Sequence, residues 1–261
     1  MELRREALRL LAIAEPAQKV AAVRAWAAAG CDAAVDTEAA LVATAPLPGR
    51  PPRPRLVAPA EVPRRTPFTP AGRAALLHAV AHIEFNAIDL ALDAVWRFAG
   101  MPEAFYRDWQ RVAGEEALHF SLVAEYLGDL GHAYGDFDAH AGLWTMCEKT
   151  AADVLARMAL VPRTLEARGL DATPPMRAKF ERAGDRRAVA ILDVILRDEV
   201  GHVAIGNHWY RWLCEREGLD PVAHYAALAR HHGAPRPKGP FNLEARRAAG
   251  FSAEELRSLA P

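Results

Sequence analysis

Three cysteines in 261 residues, Cys31, Cys147 and Cys214, are too few and too scattered for a disulfide framework or a Cys-rich metal site. Their number suits a reducing compartment. Charge of one sign is also missing: 32 basic and 33 acidic residues leave a net charge of −1, which gives no global drive toward nucleic acid. No stretch reaches the ~20 consecutive apolar residues that span a bilayer. The chain opens on MELRREALRL, a charged amphipathic start rather than an apolar signal region. The expectation is a cytoplasmic protein with no membrane partner. Period-two alternation is absent over useful lengths, so strands are not expected. Half of the residues are hydrophobic, enough to bury a full core.

Proline is unevenly spread. Nine of the 19 fall within 45–70, which reads as an extended linker. It separates an N-terminal helical arm (1–44) from a main domain that begins at Thr69-Pro70, an N-cap followed by proline at the first helical position. Four long helices are predicted there, over about 70–98, 102–130, 138–168 (with Pro162 as a kink and Gly169 as its stop) and 185–217. The main domain is then 70–218 after a 45–69 linker, with a helical tail over 219–261. The fold class expected is all-α, an antiparallel four-helix bundle with extra N-terminal and C-terminal helices.

Two Glu-x-x-His steps, Glu116/His119 and Glu199/His202, carry the functional reading. Positions i and i+3 share a helix face, so each step points a carboxylate and an imidazole the same way. The second helix runs Phe105, Trp109, Val112, Glu116, His119, Val123, Tyr126, Leu130 in steps of four and three. The fourth repeats the rhythm with Ala188, Leu192, Ile195, Glu199, His202, Gly206, Trp209, Leu213. Each stripe is apolar except at its middle. Ionised carboxylates placed there need compensating cations, and the stripes supply no Lys or Arg at those levels.

A lone glutamate precedes each step, Glu84 and Glu166. Two Glu-x-x-His helices and one glutamate from each of two others form the inward ligand set of a bundle holding two metal ions. Glu84 and Glu116 each lie 16 residues from Gly100, so a hairpin turning there brings both to one level, about 24 Å from the turn at 1.5 Å per residue. The second hairpin matches less well: Glu199 lies 15 residues after Gly184 and Glu166 lies 18 before it. Glu148 and Asp153 are the other third-helix candidates. His78 and His82 are read as structural, Glu115 as exposed or supporting, and Asp198 as able to orient a ligand imidazole. Arg157, Arg163 and Arg168 read as a salt-bridged surface, with an anion-binding rim as the alternative.

HIEFNAIDLALDAVWRF, GEEALHF, MALVPRTLEARGLD and ILRDEVGHVAIGNHWY resemble the ferritin-like superfamily of di-iron carboxylate proteins, and within it an uncharacterised bacterial family. The resemblance spans about 65–220. It implies that Glu116 and Glu199 bridge two metals, that Glu84 and Glu166 are terminal ligands, and that His119 and His202 bind one metal each. It also implies a non-haem di-iron oxidase or oxygenase acting with O₂ or peroxide, a small-molecule substrate and an electron donor. Iron leads and manganese is the alternative, since oxygen–nitrogen ligands suit both. Storage or peroxide detoxification without a further substrate is one alternative function and hydroxylation of modified tRNA another, although the neutral charge gives nucleic acid no support. A homodimer is compatible with the sequence.

Overall fold

The computed structural model describes residues 2–30, 33–63 and 65–259; Cys31 lies outside them. Among the described residues every regular element is helical, and the one β-type pairing is an isolated bridge between Leu56 and Ala139. The chain divides into two compact units, Met1–Gly142 and Leu143–Pro261.

In the first unit, α3 (Pro70–Arg97) and α4 (Glu103–Asp129) fold back on each other around Gly100, whose φ of +74° is the left-handed conformation that glycine reaches most easily. Thr69 caps α3 by accepting the Gly72 N–H, with Pro70 at the first helical position. By length and composition α3 could cross a membrane, but 83% of its apolar window is buried inside the fold, as befits a core helix.

The N-terminal helices belong to this core. Helix α1 (Leu3–Leu11) packs on α3 and α2 (Pro16–Ala28) packs on α4. Both are held by buried cations. Arg4, fully buried, donates to the carbonyls of Asp36, Ala39, Val95 and Trp96. It thereby satisfies carbonyls at the C-terminal end of α3 that have no helical partner. Lys19, also fully buried, reaches Asp89 at 2.5 Å and the Gly49 carbonyl at 3.3 Å. The proline-rich segment runs over this unit, and Gly49 N–H donates to Leu11 O at the end of α1.

The second unit departs from the expected helix three. A short α5 (Gly142–Lys149) ends at a turn, and the buried Arg157 covers it by donating to Cys147 O at 2.6 Å and Thr150 Oγ1 at 2.8 Å. From Val154 the chain is helical without a break to Arg182, as α6 (Val154–Leu160), a π turn (Val161–Glu166) and α7 (Ala167–Arg182). Gly169 does not stop it, and Pro174 and Pro175 lie inside it. Interior proline costs a helix about 3 kcal/mol. Here burial of Leu170, Thr173 and Phe180 on a helix packed against α8 (Arg186–Arg216) overrides that preference. Helices α9 (Pro221–His231), α10 (Leu243–Ala248) and α11 (Ala253–Arg257) close the unit.

Candidate metal centre

Helix α3 presents Glu84 and α4 presents Glu116 and His119, all three buried. One ligand atom from each lies within 4.8 Å of the others. His119 Nδ1 stands 3.3 Å from Glu84 Oε2 and 3.4 Å from Glu116 Oε2. The hairpin count thus translates into geometry: two helices turning at Gly100 put the three side chains at one level.

The electrostatics of this triad are those of groups lacking enough positive charge. Burial pushes Glu84 up to about 7, with Glu116 adding to the rise and His119 opposing it. Burial also works against a charged His119, but Glu116 and Glu84 outweigh it and raise the imidazole to about 12. Glu84 Oε2 is sealed from solvent, and among the described residues no donor meets it in hydrogen-bond geometry. Two buried carboxylates around one imidazole offer oxygen and nitrogen donors to a divalent ion, and the residues fit one.

In the second unit α8 presents Glu199 and His202, both buried and with ligand atoms within 4.8 Å of each other. Glu166 is the last residue of the π turn and is half-buried. It shares a helix face with Gly169, where an added Cβ would stand 3.9 Å from the Glu199 carboxyl. The helix face carrying Glu166 is therefore turned toward Glu199. The continuous helix also accounts for part of the uneven hairpin count, because a π turn bonds i to i+5 and takes an extra residue into one turn.

The other third-helix candidates are engaged elsewhere. Glu148 is exposed and accepts the Trp144 indole N–H at 2.9 Å. Asp153 is the exposed N-cap of α6, accepting from Leu155 N and Ala156 N.

His78 and His82 are structural. Gly135 N–H donates to His78 Nε2 at 2.9 Å, and His82 bonds the Tyr134 hydroxyl at 2.9 Å and the His140 carbonyl at 3.0 Å. Burial lowers both imidazoles to about 4, so they stay neutral. Asp198 is bonded to its neighbour Arg197 at 2.8 and 3.0 Å, and Glu115 lines an outer cleft with Arg24, Arg107 and Arg111. The expected arginine surface is corrected: Arg157 and Arg163 are core residues, 1% and 4% exposed, and Arg168 alone of the three is exposed. Their sequence signal was an arginine within an apolar run (Arg157 in LARMAL, Arg163 directly after Val161-Pro162).

Close packing fixes the π turn against α8. A Cβ on Gly206 would fall 2.5 Å from Pro162 Cβ, inside van der Waals contact with a rigid ring. Gly206→Ala is expected to cost about 1–3 kcal/mol by overpacking, read as a lowered melting temperature. An unchanged melt would mean that the two elements can separate freely.

An uncharacterized protein of Haemophilus influenzae is 55% identical over 213 residues, covering 79% of this chain and 74% of the relative. No solved structure matches. Residues 12–257, nearly the whole chain and every residue of the candidate centre, match the family described as protein of unknown function DUF455, and the chain belongs to that family.

Proposed function

We propose that this chain is a ferritin-like di-metal oxidoreductase of the cytoplasm, using O₂ or peroxide to oxidise a small molecule, with electrons from a separate donor. Glu84, Glu116 and His119 would hold one ion and Glu166, Glu199 and His202 the other, iron first and manganese second. The observation that carries the reading is the buried Glu84–Glu116–His119 triad, two carboxylates and an imidazole in an apolar core, echoed by Glu199 and His202 on α8. Burying such groups costs several kcal/mol without compensation, a cost that divalent cations remove.

Bound there, iron or manganese would supply redox equivalents and open positions for a small oxidant. The residues supply the setting. Ala81, Ile88, Val112 and Val123, all buried, line the stripes above and below the first triad and keep bulk water away from it. The carboxylates set the charge that the ions must balance, and the imidazoles complete a mixed donor set.

The test is metal content after purification without chelator, followed by anaerobic loading with Fe²⁺ and exposure to O₂. Two ions per chain and O₂ consumption coupled to an added reductant are expected. No bound metal, with unchanged melting on adding Fe²⁺ or Mn²⁺, would overturn the metal centre. Stoichiometric metal without O₂ or peroxide reactivity would overturn the redox part and leave metal storage.

A further inference from the structure

The C-terminal helices grip the chain on both sides of Glu166. Three residues before it, the buried Arg163 donates to Asn207 Oδ1 at 3.1 Å and to the Glu255 carboxylate of α11. Its guanidinium lies 4.9 Å from the ring centroids of Tyr210 and Tyr225 and 5.0 Å from Phe251. The other Glu255 oxygen takes Arg211 Nη2 at 2.8 Å, so the carboxylate is fixed from two sides.

After Glu166 the grip comes from α10. Arg246, 2% exposed, forks onto Asp171 at 3.1 and 2.6 Å and donates to the Ala167 carbonyl at 3.3 Å. Its guanidinium stands 5.2 Å from the same Phe251 ring. Asn207 adds a third tie by donating to Ala249 O at 2.7 Å.

A π turn is a rare insertion in an α-helix, mostly a single turn long. Its one extra residue is worth about 100° of helical rotation at 3.6 residues per turn. Relaxation to regular α-helix would turn α7, with the face that Glu166 shares with Gly169, by that angle relative to α6, and so away from Glu199 while α6 stays packed on α8. Pro162 has no N–H to give, and the Thr164 hydroxyl donates back to Ala159 O at 2.8 Å, so the turn's hydrogen bonding is also completed by side chains.

We infer that α10 and α11 form a clamp on the π turn that aims Glu166 at the second ion, with Arg163, Glu255 and Arg246 as positioning residues. This rests on the metal-centre reading above. It gives the C-terminal segment a task in the site without adding a ligand.

The experiment compares wild type with Glu255→Gln, Arg246→Met and Phe180→Leu, the last a buried change on α7 remote from Glu166. Mn²⁺ binding is measured anaerobically by equilibrium dialysis, and hydrogen exchange over 161–171 is followed without metal. Wild type is expected to take two ions. The two clamp variants should keep one at wild-type affinity and bind the other 10–100-fold more weakly, the usual effect of removing the support behind a ligand. Exchange over 161–171 should accelerate in both. Two ions at wild-type affinity in both clamp variants would overturn the clamp and leave the metal centre standing. Equal weakening in Phe180→Leu at a matched loss of melting temperature would also overturn it, as a stability effect. No ion in wild type would overturn both readings.

Discussion

Glu84→Gln is expected to lose one of two bound ions and yet, without metal, to melt higher than wild type above pH 7. The substitution keeps the side-chain volume and removes only the carboxylate, so packing in the hairpin core is preserved. Glu84 titrates near 7 in the fold against an ordinary value of 4.5. A folded value raised above the unfolded one gives stability that is full below pH 4.5 and lost as pH rises through about 7. Wild type without metal therefore weakens across that window, and the glutamine variant lacks this slope. The rise from 4.5 to about 7, which already includes the opposing effect of His119, puts the gain at pH 8 at about 3 kcal/mol.

Metal should reverse the ranking. An ion at 1,000 times its dissociation constant adds about 4.1 kcal/mol, and the variant forgoes that for one ion. Melting curves at pH 5 and pH 8, with Mn²⁺ or with EDTA, read both effects. A glutamine variant less stable than wild type in EDTA at pH 8 would show that Glu84 is there for the fold. Stability given up for a charged site is the usual trade at a working centre.

The parts of this protein that repeat were the legible ones. Glu84, Glu116 and His119 follow from two helices, a glycine turn and equal arm lengths, all of them local signals. The α3–α4 hairpin is accordingly where the spacing puts it. The 154–182 helix was illegible for the opposite reason. Gly169, Pro174 and Pro175 each signal a stop, and only long-range burial of Leu170 and Phe180 overrides them. The π turn has no periodic signature at all, since one extra residue looks like a slip in the count. That slip shows in the sequence as 18 residues before Gly184 against 15 after it.

The buried cations were hidden by a different rule. Lys and Arg are almost never fully buried unless paired, so Arg4, Lys19, Arg163 and Arg246 look like surface residues until their partners are known. Those partners lie 70 or more residues away in three cases: Asp89 for Lys19, Glu255 for Arg163 and Asp171 for Arg246. The core thus carries two kinds of charge. Cations matched to carboxylates or carbonyls anchor the terminal helices, whereas the Glu84–Glu116–His119 triad sets two carboxylates against one imidazole.

The first kind yields the largest stability effect. Lys19→Met is expected to destabilise the fold by about 3–5 kcal/mol at pH 8, because it leaves Asp89 ionised in the core without its cation. Asp89 already titrates near 6 in the fold, raised by burial from 3.8 and held down by Lys19. Without Lys19 it must rise further, so the penalty is full at alkaline pH and shrinks as pH falls below about 6, where the carboxyl is neutral in the folded wild type and the folded variant alike. Loss of the contact between Lys19 and the Phe85 ring, at 5.1 Å, adds a smaller cost that pH does not change. Lys19→Met with Asp89→Leu removes both charges and should recover most of the stability, with a flatter pH profile. Denaturant titrations at pH 4.5 and pH 8 separate these contributions. If the double variant were no more stable than Lys19→Met at pH 8, the buried charge would not be the cause, and the tether from Lys19 to Gly49 O would carry the effect instead.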